Sequence, residues 1–177
     1  MEFKKIALFS FISLFLGACS SSTHSSEGIK SLDALAFQSY INEDKNAVIL
    51  DVRTIDEFEK GHIEGAITFH WRDDLQDGLI RDLISKEKFE ALLSKSGISN
   101  DTTVILYGGN NNWFATYALW YFKVYGHADV RLLDGGRKRW ELDGRPFVTE
   151  VPTPKIAKYV AKERDNSIRA FRDEVIA

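Results

Sequence analysis

The sequence predicts an α/β fold, a parallel sheet covered by helices on both faces, and three observations carry that expectation. A short continuous apolar run lies at residues 47–50 and further strand-like segments at 103–107 and 130–133, segments with helical spacing lie between them, and glycines follow the helical segments. A run that is apolar at every position suits a strand buried on both faces. Strands that alternate with helices imply parallel βαβ units.

The elements follow in order. From Ser31, residues Leu32, Leu35, Ala36 and Tyr40 fall on one face of a predicted helix. Ala47, Val48, Ile49 and Leu50 form the first buried strand. A helix is expected over 54–60, with Thr54 as N-cap, Glu57 three residues on as its capping-box partner, and Gly61 as the stop. Residues 66–69 read as a second strand and 70–81 as polar and turn-like. Residues 85–96 are amphipathic, with Phe89, Leu92 and Leu93 inward and Gly97 ending the helix. The segment 103–107 is β-branched and aromatic, hence a strand, and runs straight into Gly108, Gly109, Asn110, Asn111 and Asn112. A helix over 113–125, a strand over 130–133, a turn at Asp134, Gly135 and Gly136, and a short helix over 137–142 complete the pattern. Parallel sheets place ligands beyond the carboxyl ends of their strands, and the loop that starts at Gly108 lies at such an end.

Past Gly144 the composition changes: Pro146, Pro152 and Pro154 stand among polar residues, as in a linker. The predicted domain therefore spans 31–148, and 149–177 is a linker followed by the start of something further. Residues 168–176 have amphipathic spacing, which fits either the opening of a second, truncated domain or a docked terminal helix. Undocked, Ile168, Phe171 and Val175 would form an exposed apolar stripe.

Composition limits the functional classes. A chain of 177 residues that is 44% hydrophobic and 28% charged supports one packed domain. A net charge of -3 with no basic stripe excludes a nucleic-acid partner. Lys4 and Lys5 precede an apolar run over 6–16 that only Ser10 and Ser13 interrupt. Spanning a bilayer takes about 20 apolar residues, so this segment is expected to be a cleaved signal peptide over 1–18. Leu16, Gly17, Ala18 and Cys19 resemble the lipobox of bacterial lipoproteins, in preference to an ordinary secretory signal. Cys19 would then be a lipid anchor, residues 19–30 a serine-rich flexible tether, and the protein an exported, membrane-anchored lipoprotein of the bacterial cell envelope. Cys19 is the chain's only cysteine, so no intramolecular disulfide and no CxxC site can form.

Several segments in fixed order carry a family resemblance: Leu50-Asp51-Val52-Arg53, Glu57-Phe58, Gly61-His62-Ile63-Glu64-Gly65-Ala66, Gly126-His127, and Leu133-Asp134-Gly135-Gly136 with Trp140. Together they resemble the rhodanese (thiosulfate sulfurtransferase) family over residues 31 to 177. The segment from Tyr107 through the loop to Trp113, Phe114 and Ala115 is similar to the first domain of its tandem-domain bacterial members. The resemblance implies a rhodanese-like parallel sheet. It also implies chemistry at a cysteine that opens the loop after a central strand, where N–H groups stabilise a thiolate and then a persulfide. Gly108 stands at the corresponding position, so this chain alone is expected to be inactive. In tandem members the first domain is ordinarily the inactive copy. Residues 168–177 would then correspond to the helix that opens the second domain, and thiosulfate or another sulfur donor would be a partner only together with that domain.

The remaining candidates read as structural. The family pattern makes Asp51 and Arg53 scaffold residues that brace neighbouring loops, and no nucleophile accompanies His62, which is expected to be a satisfied, partly buried histidine. His70, Asp73 and Asp74 have the residue types of a metal site without a further ligand, so no metal and no cofactor is expected. Trp113, Trp120 and Tyr121 recur at helical spacing as core or interdomain contacts, and Trp113 could also line a pocket. The loop from Gly108 to Asn112 is expected to hold an anion weakly through its N–H groups, with Gly108 and Gly109 supplying positive φ. Two functions remain: the N-terminal, non-catalytic part of a lipid-anchored sulfurtransferase, or a free-standing lipoprotein that uses the domain as a non-catalytic binding module for a protein or a small anion.

Overall fold

The computed structural model describes residues 29–43 and 46–176. The expected signal peptide, the anchor Cys19 and most of the tether lie outside the described residues. Five parallel strands form one sheet in the order β1-β5-β4-β2-β3: β1 (Ser31–Leu32), β2 (Ala47–Asp51), β3 (Ala66–Thr68), β4 (Thr103–Tyr107) and β5 (Val130–Leu133). The helices are α1 (Ala34–Glu43), α2 (Ile55–Glu59), α3 (Lys86–Lys95), α4 (Trp113–Val124), α5 (Gly136–Leu142) and α6 (Arg172–Ile176).

The alternation of side chains along each strand divides the core in two. Leu50, Ile67, Val104, Leu106 and Leu132 face α3 and α4, where Phe89, Leu93, Ala118, Tyr121 and Phe122 are buried against them. Ile49, Ala66, Ile105, Tyr107 and Leu133 face the other way, toward Phe37 of α1, Phe58 of α2 and Trp140 of α5. Central strands buried on both faces are what the uninterrupted apolar runs require.

Caps set the helix ends. Thr54 and Glu57 form the expected capping box at α2, and Ser85 Oγ accepts from the Lys88 amide at α3. Asp33 Oδ1 accepts from the amides of Leu35 and Ala36 at the start of α1. That cap rotates α1 away from the expected face. Ala34 and Phe37 are buried, whereas Leu35 is 74% exposed and Leu32 belongs to β1.

The segment after Gly144 differs from the expected linker. It contains no regular element through residue 165, apart from an isolated antiparallel bridge between His62 and Val148. Even so, it is strapped along the domain. Tyr159 and Ala161 are buried in the α3/α4 core, the Lys162 amide donates to Tyr125 O, and Arg164 reaches the carbonyls of Leu83 and Ile84. Asp82 holds Arg169 at 2.6 Å. The domain thus runs about twenty residues past the expected boundary. The terminal helix is shorter than the spacing suggested: α6 is only five residues long, and Ile168, Phe171, Val175 and Ile176 are all exposed.

Candidate functional site

The carboxyl ends of β2, β4 and β5 meet on one side of the sheet. β4 pairs with β2 on one flank and β5 on the other, so the chain changes direction between β2 and β4, the place where α/β sheets form a ligand crevice. Asp51, Val52 and Arg53 emerge from β2, Gly108 from β4 and Asp134 from β5.

Asp51 and Arg53 form a closed pair. Arg53 Nε lies 3.0 Å from both carboxylate oxygens, Nη2 lies 2.6 Å from Oδ2, and the Arg53 amide donates to Oδ1. Nη2 also donates to Gly61 O at 2.8 Å. Both side chains are almost wholly buried. Burial opposes the guanidinium charge, but the Asp51 hydrogen bonds and field outweigh it and hold the Arg53 pKa above its ordinary value. Burial, followed by the charge of Asp51, pushes the phenol of Tyr107 up, and its oxygen accepts from the Ile63 amide. This array ties the end of β2 to the loop before β3 and offers no free nucleophile or base.

His62 is fully buried. Its ring stacks on Phe58 at 3.8 Å, Nδ1 lies 2.9 Å from Phe58 O, and Nε2 lies 3.0 Å from Glu150 O. Its backbone pairs with Val148 in both directions. It joins α2 to the strap and does not face the crevice between β2 and β4.

The loop after β4 departs from expectation in its glycines. Positive φ falls on Asn111 (56°) and Asn112 (63°), not on Gly108 or Gly109. Asparagine tolerates this conformation because its short side chain can bond locally. The Asn112 side chain folds back into the loop: Oδ1 accepts from the Gly108 amide at 3.0 Å, and Nδ2 donates to Leu133 O at 2.7 Å. The side-chain amide oxygen of Asn112 thus occupies the Gly108 N–H, one of the loop amides expected to hold an anion. A Cβ at Gly136 would come within 2.1 Å of Asn112 Oδ1 and 2.8 Å of Gly108 O, so the second glycine of the Asp134-Gly135-Gly136 turn permits this closure. Neither the fold-back of Asn112 nor the role of Gly136 is readable from the sequence, because both arise where β4 and β5 meet. The only signal was the glycine pair itself.

The aromatic candidates separate. Tyr121 is buried, with its hydroxyl accepting from the Ile84 amide. Trp120 is partly buried and donates to Ile168 O at 2.9 Å. Trp113 is 70% exposed, so it is not a core residue. His70 Nδ1 lies 2.5 Å from Asp73, and the His70 amide donates to Asp74. Among the described residues no group of three or more His, Cys, Asp or Glu is placed to hold a metal ion. Among them, too, no helix is long and apolar enough to cross a membrane.

Comparison with known proteins gives concordant results. A family model described as a rhodanese-like domain matches residues 34–143. A Mycolicibacterium smegmatis protein named "putative thiosulfate sulfurtransferase" is 63% identical over 120 residues, which are 68% of this chain and 43% of that one. The sulfur carrier protein TtuD of Thermus thermophilus is 50% identical over 135 residues, 76% of this chain and 47% of that one. The chain thus spans about half the length of the curated relatives it matches. Among solved structures, the 3-mercaptopyruvate sulfotransferase SseA of Escherichia coli is similar with a TM-score of 0.69 and 22% identity, over 84% of this chain and 61% of that one. That likeness is one of fold.

Proposed function

As the chain belongs to the rhodanese-like family, we propose that it is the N-terminal, non-catalytic half of a thiosulfate sulfurtransferase, held at a bacterial membrane by a lipidated Cys19. The observation that carries this reading is Gly108. It stands at the end of β4, in the loop where the family resemblance places the sulfur-carrying cysteine, and its amide is already bound by Asn112. Sulfur transfer of this type needs a thiolate that attacks the outer sulfur of thiosulfate, releases sulfite and keeps the sulfur as a persulfide until a thiophile removes it. No described residue carries a thiol, so the nucleophile would come from a second domain.

The relatives support the same reading, since each is about twice the matched length and the M. smegmatis protein is named for thiosulfate. In this half, the Asp51–Arg53 brace and the closed loop keep the sheet end rigid, while the exposed Ile168, Phe171, Val175 and Ile176 supply an apolar edge for the second domain. The lipid anchor rests on the sequence alone, on the short apolar run before Cys19.

The test reads the source DNA past codon 177 and assays the chain by itself for thiocyanate formation from thiosulfate and cyanide. The expected outcome is a frame that continues into a second domain with cysteine in the matching loop, and no activity from this chain alone. A genuine stop codon would overturn the reading in favour of a free-standing binding module on the same anchor. Activity from the chain alone would overturn both.

A further inference from the structure

The strap over 149–165 meets the domain at two rings that each leave a polar atom unused. Tyr159 is 3% and His127 5% exposed, and their ring centres are 5.7 Å apart. His127 Nε2 lies 2.9 Å from Thr102 O, so this nitrogen carries the proton of the neutral ring. Nδ1 and the Tyr159 hydroxyl are both shielded from solvent and have no hydrogen-bond partner among the described residues. Shielded polar groups in native proteins are nearly always satisfied, which makes this pair the weak point of the seam.

The groups around the ring decide what a second proton, on Nδ1, would meet. The turn before β4 contributes Thr102 O, while its Asp101 accepts from Ser99 Oγ. Asp129, ahead of β5, is held by Arg131 and Thr103, with Lys30 at 3.9 Å. From α4 comes Phe122, edge-on at 5.3 Å. The strap brings Tyr159 and Lys162, whose stem lies against Gly126, and Glu90 of α3 accepts from the Ala161 amide. Burial keeps the ring below its ordinary pKa of 6.5 against the opposing pull of Thr102 O and Asp129. Carboxylates ordinarily titrate at about pH 4, so a window between about pH 7 and 5.5 isolates the imidazole.

We propose that the strap is a proton-operated latch: a proton on His127 Nδ1 unseats Tyr159, and residues 157–165 come off α3 and α4 while the five-stranded sheet stays folded. The new N–H reaches water only when Tyr159 leaves, so the open form takes up the proton that the closed form refuses. The ratio of open to closed strap therefore grows by up to about tenfold per pH unit below about 6.5, until the closed form binds the proton itself. Opening uncovers Phe89, which Tyr159 meets edge-on at 5.9 Å. The latch does not depend on sulfur transfer or on a second domain.

The test is native-state hydrogen exchange of the full chain, followed by NMR between about pH 7 and 5.5 and corrected for the intrinsic exchange rate. The reporters are the amides of Lys162 and Asp165, which donate to Tyr125 O and Val124 O, with Ile105 of β4 as the reference for global unfolding. Expected is weaker protection at the two strap amides than at Ile105, falling about fivefold across that range and insensitive to dilute urea, since local opening exposes little surface. In His127→Gln, whose amide can still donate to Thr102 O, the fall with pH should vanish. Strap amides that follow Ile105 in protection and urea dependence would overturn the proposal. So would protection that does not change with pH, or a pH dependence that survives in His127→Gln. The parent alone supplies the first two readouts, so the outcome does not hinge on the variant folding.

Discussion

Arg53 holds the rest of the site in place. Its guanidinium neutralises a fully buried Asp51 and reaches Gly61 O as well. Removing one partner of a buried pair leaves an uncompensated charge, which typically costs about 3–5 kcal/mol. Arg53→Ala is therefore expected to lower the unfolding free energy by about that amount in urea titrations, far more than the same change at the exposed Lys138. Gly108 makes the opposite case. A Cβ there would sit 3.4 Å from Val52 Cγ2 and 3.7 Å from Ala115 Cβ, which is ordinary contact, and its φ is not positive. Gly108→Cys should fold with stability within about 1 kcal/mol of the parent, since the entropy lost from the unfolded chain offsets slight crowding. It should still form no thiocyanate from thiosulfate, because the Gly108 amide remains bound to Asn112. A stability measurement and the colorimetric thiocyanate assay on that one variant check both statements.

The strap over 149–165 shows how a segment without regular structure becomes part of a fold. Tyr159 packs edge-on against Phe89 and beside His127 in the main core. Its hydroxyl is buried and has no hydrogen-bond partner among the described residues, and burial pushes its pKa up to about 12. A buried hydroxyl without a partner is a loss that phenylalanine avoids. Tyr159→Phe should thus match or exceed the parent in stability, whereas Tyr159→Ala should lose about 3–5 kcal/mol through the cavity it leaves. If the strap were a free linker, thermal unfolding of both variants would coincide with the parent. Proline content pointed to a linker because Pro146, Pro152 and Pro154 forbid helix and central strand. Composition reports what a segment cannot form and says nothing of what it packs against. The face of α1 was misplaced for a related reason. Leu32 and Leu35 looked like one stripe, but Asp33 starts the helix after Leu32 and turns Phe37 inward. One capping residue sets the phase of the whole helix.

Across the whole molecule, two cores share one sheet, and the larger depends on a neutral histidine. His127 Nε2 lies 2.9 Å from Thr102 O, and the ring sits between Phe122 and Tyr159. Burial lowers its pKa below the ordinary 6.5. The unfolded chain therefore binds a proton that the folded chain refuses, and stability falls as pH drops below about 6.5 until the folded-state pKa is reached. Urea unfolding midpoints between pH 7 and 5 should decline more steeply for the parent than for His127→Gln, which cannot take up that proton. Asp82 works in the same direction at lower pH. Although its partial burial acts the other way, the Leu83 amide and Arg169 hold its pKa below the usual value, so acid loosens the end of the strap as the carboxylate is protonated.

The sequence by itself determined the sheet, its parallel sense, the position of the loop after β4 and the absence of a thiol from it. These follow from local periodicity, capping residues and residue identity, all of which are readable within a window of a few positions. Tertiary structure alone decided three things. The strap belongs to the domain because Tyr159 packs against Phe89 of α3 and against His127, which follows α4. The Gly108 amide, one of the N–H groups expected to hold an anion, is bound by Asn112, which meets the end of β5 through the space left at Gly136. A separate cleft is lined by charged residues as far apart in the chain as Arg53 and Glu141. Each is a meeting of residues far apart in sequence, and spacing along a chain holds no record of which distant surfaces will touch.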